Sequence, residues 1–301
     1  MRLKFHTLDV FTSTRFGGNP LAVVLDADGL ETKAMQAIAR EFNLSETVFV
    51  TKPSNPAHSA RVRIFTPMSE IPFAGHPTIG TAILLGELRA AALGGSRNAI
   101  IALEEQIGVV RVGVRMPVGL QPFAEFDAPK LPEDMGSVPA IEDIAAAVSL
   151  IPSEIGFENH RPTHFSAGLP YYFIPTRSLA AIRRARIDAS RWTQAFGANG
   201  AVYLYCRETE HNTADFHARM FDPGHGIPED PATGSAAAAF AGAIARFDEP
   251  PGGEHRYSIE QGFEMRRPSR IQLSIVMNDG RLQTVRIGGP AVRVADGEIE
   301  I

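Results

Sequence analysis

The sequence predicts an α+β protein built from two pseudo-symmetric halves, each a set of strands wrapped around one long apolar helix. Three observations lead there. First, Arg219-Met-Phe-Asp-Pro repeats Arg63-Ile-Phe-Thr-Pro, and Ile227-Pro228 repeats Ile71-Pro72, at an offset of 156 (219 − 63). After a skip of two residues, Pro231-Ala-Thr-Gly-Ser-Ala matches Pro77-Thr-Ile-Gly-Thr-Ala at an offset of 154 (231 − 77). Phe42, Val48, Phe49 and Val50 match Phe196, Val202, Tyr203 and Leu204 at that same offset, and Gly18-Asn19-Pro20 is echoed by Gly168-Leu169-Pro170. Solenoid periods are far shorter, roughly 20–50 residues, so this period indicates duplicated domains. Second, 301 residues exceed the size, about 250–300, at which single cores usually split. Third, Pro231–Arg246 is nearly all Ala, Phe and Ile, and a helix apolar on every face is buried on every side. The halves fall at residues 1–118, joined by a C-terminal strand at about 289–301, and at 119–288.

The elements follow in order. Residues 3–10 and 21–26 alternate as strands on either side of the loop Thr12–Pro20, whose Gly17-Gly18-Asn19 permits a tight backbone approach. Glu31–Phe42 carries Ala34, Ile38 and Phe42 on one helical face. Asn43–Ser45 breaks that helix, and strands follow at Glu46–Thr51 and Arg61–Phe65. The next helix runs from Pro77 to Leu88, and 99–104 with 108–115 form a hairpin. The proline-rich stretch Pro117–Pro139 has little periodicity and reads as the connector between halves. A short helix at Ile141–Ser149 precedes the second copy, which begins near His164. Its helices lie at 178–184 and 188–196, its strands at 201–206 and 214–221, and its long helix opens near Pro231, as proline suits a first helical turn. Segments 269–277 and 281–287 flank the turn Asn278-Asp279-Gly280, and the alternating tail after Gly288 is a strand free to pair with the first half.

Composition narrows the function. A net charge of −5, with no basic cluster beyond Arg183-Arg184…Arg186, argues against a nucleic-acid partner. The N-terminus lacks the apolar core of a signal peptide, and no run is long enough to span a bilayer, so no membrane partner is expected and the cytoplasm is the default location. The single cysteine, Cys206, sits in an apolar strand pattern as a buried thiol and excludes a mechanism with two opposed thiol bases. Nucleophile-elbow, Walker and His-Glu-x-x-His motifs are missing, and the nine histidines lack ligand spacing, so no metal site is expected.

The candidate chemistry gathers where strands end and the long helices begin. Glu46 stands between a helix exit and a strand, and its repeat partner at offset 154 is Gly200, so only the first copy has an acid there. His76 sits opposite Asp230, each before a helix-opening proline, with Gly75, Gly234 and Ser235 in or beside the first turns. Unpaired N–H groups and the helix dipole favour an anion at such places. If the halves face one another, a shared cleft receives one carboxylate from each and an imidazole. A carboxyl group in an apolar cleft has its pKa raised and exchanges protons near neutrality. Taken singly, each residue has a plainer reading: Asp230 as a helix cap, Glu46 as a solvated strand start, His76 as a helix-end partner, Ser235 as a backbone-bonding hydroxyl, Asn19 as a turn former.

Phe73-Ala-Gly-His-Pro-Thr-Ile-Gly-Thr-Ala82, Gly226-Ile-Pro-Glu-Asp-Pro-Ala-Thr-Gly-Ser-Ala236, Asn43-Leu-Ser-Glu-Thr47, Gly17-Gly-Asn-Pro20 and the closing Gly-Glu-Ile resemble the PhzF-like (phenazine biosynthesis) proteins over nearly the whole chain. The resemblance implies the diaminopimelate-epimerase-like fold, in which each half is a curved β-sheet or barrel around a central helix and the active site lies between the halves. It also implies a cofactor-free isomerase of the trans-2,3-dihydro-3-hydroxyanthranilate type, acting on a small carboxylate substrate as a homodimer. Carried over, Glu46 is the general acid/base, His76 and Asp230 assist proton transfer, and Asn19, Gly75, Gly234 and Ser235 bind substrate. The segment 117–139 and the insert Ala90–Asn98 are where the chain departs from the phenazine enzyme. Two other readings stay open: a two-base epimerase or racemase using Glu46 and Asp230, and a non-catalytic binder of small carboxylates.

Overall fold

Alternation of apolar and polar residues makes strand β1 (Arg2–Val10), with Leu3, Leu8 and Val10 buried, and the more continuous apolar run of β2 (Asn19–Val24) is buried at five of six positions. A strand covered on both faces reads as an unbroken apolar run. The computed structural model describes residues 1–92 and 98–301, so the centre of the insert Ala90–Asn98 lies outside the described residues. It divides into two units, Met1–Asp127 with Gly288–Ile301, and Ala128–Ile287.

In the first unit, β1 and β2 are antiparallel, and helix α1 (Thr32–Phe42) carries the chain over to β3 (Glu46–Thr51), which runs parallel to β2. Met35, Ile38 and Ala39 of α1 pack in one cluster with Leu3, Val24, Phe49 and Phe65. Asn43, in the left-handed region at φ 50°, ends the helix. Strand β4 (Ala60–Phe65) pairs antiparallel with β3 and with the short β5 (Glu70–Ile71). Helix α2 (Gly75–Ala92) then leads to β6 (Ala99–Glu105), parallel to β4, and β7 (Gly108–Arg115) and β8 (Phe123–Asp127) continue antiparallel. The C-terminal segment 288–300 pairs with β8 and returns along β1 in a register from Val10↔Ala291 to Arg2↔Glu300, closing an eight-stranded barrel. Its interior is filled by α2, buried at nearly every position from Gly75 to Leu84. A Cβ on Gly80 would lie 2.6 Å from Leu21 Cδ2 and 2.7 Å from Val10 Cγ2, so glycine is what lets this helix approach β1 and β2.

The second unit repeats the order. Strand β9 (Glu133–Asp134) pairs with β10 (Thr163–Ser166) after helix α3 (Ile141–Ala147), and β10 is antiparallel to β11 (Pro170–Pro175). Helices α4 (Leu179–Arg184) and α5 (Ala189–Phe196) lead to β12 (Val202–Cys206), parallel to β11. Strand β13 (Phe216–Asp222) is antiparallel to β12 and to the short β14 (Ile227–Asp230). Helix α6 (Gly234–Phe247) leads to β15 (Gly253–Gln261), parallel to β13, and β16 (Ser269–Asn278) follows antiparallel. Asp279 and Gly280 both have positive φ, 49° and 71°, the geometry of a tight primed turn, before β17 (Arg281–Glu300). The sequence of parallel and antiparallel pairings is that of the first unit.

Period-two alternation in β12 explains the two layers of this core. Val202, Leu204 and Cys206 pack with Ile144, Val148, Trp192 and Phe196 of the covering helices. Tyr203 and Tyr205 instead meet Phe240 of α6, with ring centroids 5.7 and 4.6 Å apart. The buried Cys206 thiol is pushed up to about 12, first by burial and then by Glu208, and is inert as a nucleophile at neutral pH.

Three expectations need correction. Pro117–Pro139 is not simply a connector: the alternation Phe123–Asp127 buries Ala124 and Phe126 and builds β8 into the barrel of the first unit, and Glu133–Asp134 adds β9 beside β10 in the second unit. Helix α2 opens at Gly75 rather than Pro77, because the Thr78 amide already bonds the Ala74 carbonyl and proline lacks an N–H to lose in a first turn. Helix α6 opens at Gly234 rather than Pro231, because Asp230 is still paired with Met220 in the sheet and Thr233 supplies the first helical carbonyl, to Ala237. Among the described residues no helix is long and apolar enough to cross a membrane.

Candidate functional site

In the first unit, Glu46 is the first residue of β3, placed there because Asn43 ends α1 and the chain must turn into the sheet beside Leu21. It is 8% exposed, so the solvated reading does not hold. His76 is the second residue of α2 and is 4% exposed. The structure brings these two together: His76 Nε2 lies 3.2 Å from Glu46 Oε2, in contact though without the alignment of a good hydrogen bond. Burial pushes the His76 imidazolium down to about 3, so the ring is neutral across the physiological range and can donate from one nitrogen and accept at the other. Gly75, buried, opens the helix beside it.

Asn19 is the fully buried first residue of β2, opposite Val10, rather than a turn former. It is set by Gly18, at φ 63°, where a Cβ would fall 2.3 Å from the Val10 carbonyl oxygen. The Phe16 amide donates to Asp9 Oδ2 at 2.6 Å and pins the preceding loop.

In the second unit, Asp230 ends β14 and is 5% exposed. It is not the residue that caps α6. The Thr233 hydroxyl donates to Asp230 Oδ2 at 2.5 Å, and Gln261 Nε2 donates to the Asp230 carbonyl at 2.7 Å. Gln261 also accepts from the Thr233 amide at 3.2 Å, which locks the three-residue turn between strand and helix. Gly234 and Ser235 are the first and second residues of α6, as Gly75 and His76 are of α2. By place on the interior helix, then, the counterpart of His76 is Ser235, although the residue opposite it at offset 154 is Asp230. Ser235 Oγ meets Tyr171 Oη at 2.8 Å.

Sequence reasoning passed over Tyr171, Thr233 and Gln261. It also used Arg63 and Arg219 only as register marks. Each is the base of a clamp: Arg63 holds Glu70 through two bonds of 2.7 and 2.6 Å, and Arg219 holds Glu229 through two of 2.7 and 2.9 Å. Arg219 further donates to the carbonyls of Ile182 and Ala185, both at 2.9 Å. Paired, planar recognition of this kind fixes orientation as well as charge. In both units the clamp ties the short strand before the interior helix, β5 or β14, to the barrel. The repeated arginine was the available signal. Among the described residues no three His, Cys, Asp or Glu side chains group as metal ligands would.

Residues 8–297 match the family described as "Phenazine biosynthesis-like protein" (PhzC-PhzF). An uncharacterized isomerase of Mesorhizobium japonicum is 55% identical, over 97% of each chain. The trans-2,3-dihydro-3-hydroxyanthranilate isomerase of Pseudomonas aeruginosa is 34% identical, over 98% of each. The crystal structure of a phenazine biosynthesis protein of the PhzF family from Bacillus anthracis superposes with a TM-score of 0.89 at 25% identity, covering all of both chains.

Proposed function

The chain belongs to the phenazine biosynthesis-like family, and on that premise we propose that it is a cofactor-independent isomerase that moves a proton on a small unsaturated carboxylic or amino acid. The substrate class is that of trans-2,3-dihydro-3-hydroxyanthranilate, the compound for which the Pseudomonas aeruginosa relative is named. Glu46, as carboxylate, takes a C–H proton next to a conjugated carboxylate. The electron pair left behind shifts the double bond, and the protonated Glu46 returns the proton at another carbon, so protons and electrons balance without an oxidant.

The observation that carries this reading is the buried contact of Glu46 with an imidazole that stays neutral. A neutral His76 can hydrogen-bond the carboxyl group in either of its protonation states without trapping the proton as a charged pair would. Asp230 assists proton transfer, and Asn19, Gly75, Gly234 and Ser235 bind substrate, in the same proposal. The positive ends of the helix dipoles at the starts of α2 and α6 suit the negative charge of a carboxylate. Homodimeric assembly and a cytoplasmic location belong to the proposal as well.

The test is proton NMR in deuterium oxide with cyclic and amino acids that carry an acidic C–H beside an unsaturated carboxylate. A substrate loses that C–H signal in the presence of the wild-type chain. Glu46→Gln should stop the exchange and lower turnover by about 10²–10⁴-fold, the usual worth of a general acid/base. Exchange retained in full by Glu46→Gln would remove Glu46 from the mechanism.

A further inference from the structure

Glu105 is the last residue of β6 and is buried against the interior helix. Its Oε1 lies 2.8 Å from the Thr78 hydroxyl, and that hydroxyl also lies 2.8 Å from the carbonyl oxygen of Ala74. A threonine hydroxyl has one proton to donate. The Ala74 carbonyl can only accept, so when Thr78 donates to it the second bond requires a proton on Glu105. The protonated carboxyl then donates to Thr78, and Thr78 to Ala74, the residue just before Gly75 and His76.

The second unit holds its own turn from short strand to interior helix with an amide. Ala60 pairs with Leu103, and Phe216 with Ile259, at the common offset of 156 (216 − 60, 259 − 103). In that register Glu105 corresponds to Gln261. Gln261 donates to the Asp230 carbonyl at 2.7 Å. An amide is a donor at every pH, whereas a glutamate at the matching place does that work only while it holds its proton.

We propose that Glu105, in its protonated form, is a positioning residue for the site: it fixes the entry of α2 through Thr78 and Ala74 and so sets His76 against Glu46. The assignment rests on the isomerase reading for its kinetic consequence, and on geometry alone for its effect on His76. Burial, offset in part by the bond from Thr78, pushes the carboxyl up to about 8, which agrees with a proton resident at neutral pH.

The groups around Glu105 leave it a way to titrate. It lines a cavity of about 280 Å³ with Arg61, Val62 and Arg63 of β4, Glu70 of β5 and Gln106 of the β6–β7 turn. Arg63 is matched by Glu70 within that wall. Among the described residues Glu105 Oε2 has no hydrogen-bond partner, and the cavity gives the carboxyl its route to solvent protons.

The test compares wild type, Glu105→Gln and Glu105→Ala by NMR of the His76 ring nitrogens and the Ala74 carbonyl carbon from pH 6.5 to 9.5. Both signals should shift together near pH 8 in wild type and stay put in Glu105→Gln, which copies the other unit. Turnover of wild type should fall on the alkaline side of that transition, while Glu105→Gln keeps its neutral-pH rate within about twofold and loses the limb. Glu105→Ala should move both signals at every pH and lower turnover about tenfold to a hundredfold, as loss of positioning does. A transition that persists in Glu105→Gln, or His76 and Ala74 signals that ignore all three states, overturns the proposal. If Glu105→Ala does not fold, the Glu105→Gln comparison decides by itself. If no substrate is found, the NMR shifts still decide the positioning role, so failure of the isomerase reading is told apart from failure of this one.

Discussion

At the scale of the residue, His76 is defined by what burial takes from it. An imidazole in water gains its proton near pH 6.5. In the first turn of α2, 4% exposed and next to the positive end of a helix, the ring holds out to about 3. The contact with Glu46 at 3.2 Å is therefore one between a carboxyl group and a neutral ring, not an ion pair, for all of the range in which the protein works. A kinetic consequence follows. The profile of kcat/KM between pH 5 and 8 should contain no limb from ionisation of His76. Replacement by Gln, which keeps a donor and an acceptor, should lower the rate by about 10²-fold, as loss of a positioned hydrogen bond does, and leave the shape of the profile in that window unchanged. A limb near pH 6.5 in wild type that vanishes in His76→Gln would mean that the ring is charged in turnover.

At the scale of the element, the interior helices are held by what precedes them. Arg219, 3% exposed, joins β13 to Glu229 of β14 and to the carbonyls that end α4. Removing its charge strands Glu229, half-buried, and takes from the Ile182 and Ala185 carbonyls one of their two donors, leaving the Ala185 amide and the Arg186 side chain. Arg219→Met should cost about 3 kcal/mol in urea unfolding and loosen the turn that sets Asp230. Arg2→Met, whose partner Glu300 is as exposed as Arg2 itself, should change stability by less than about 1 kcal/mol. Such clamps also explain what could be read from residues alone. Glu46–Thr51 was legible to the residue, because an asparagine stop and a run of β-branched and aromatic side chains are local signals. The duplicated order of strands was legible because the repeat preserved Arg63 and Arg219. The start of α6 was not, since Pro231 looks like a helix opener until Gln261, 28 residues past Thr233, locks the intervening turn. Strand β15 was missed for a related reason: Gly253-Glu-His-Arg-Tyr-Ser alternates charge with half-burial, and only its partner β16 makes it a strand. Glu46 and His76 were each visible, but their contact depends on how β3 meets α2, and Tyr171 gave no sign of Ser235.

At the scale of the whole molecule, a few buried groups set how stability follows pH. His76 has a folded pKa, about 3, below its unfolded value near 6.5. The unfolded chain binds that proton first as pH falls, so stability is lost on the acid side, from about 6.5 down to 3. His217 behaves oppositely. Burial works against its charge, but hydrogen bonds from the ring to Glu260 and Glu264 outweigh it and raise its pKa. That contribution is complete below pH 6.5 and fades as pH rises through the folded value. Glu105 adds to the alkaline loss, because its folded value, about 8, lies above the unfolded 4.5. The folded chain must keep a proton that the unfolded chain has released, so stability falls from pH 4.5 to 8 by at most about 1.4 kcal/mol per pH unit and then levels off. Glu105→Gln separates this effect from that of His217, because an amide has no proton to lose. Urea midpoints of wild type and Glu105→Gln at pH 5, 6.5, 8 and 9 should diverge in favour of the variant up to pH 8 and run parallel above it. A constant difference between pH 5 and 8 would mean that Glu105 is ionised in the folded protein, and that the α2 entry is held by a carboxylate accepting from Thr78 rather than by an acid donating to it.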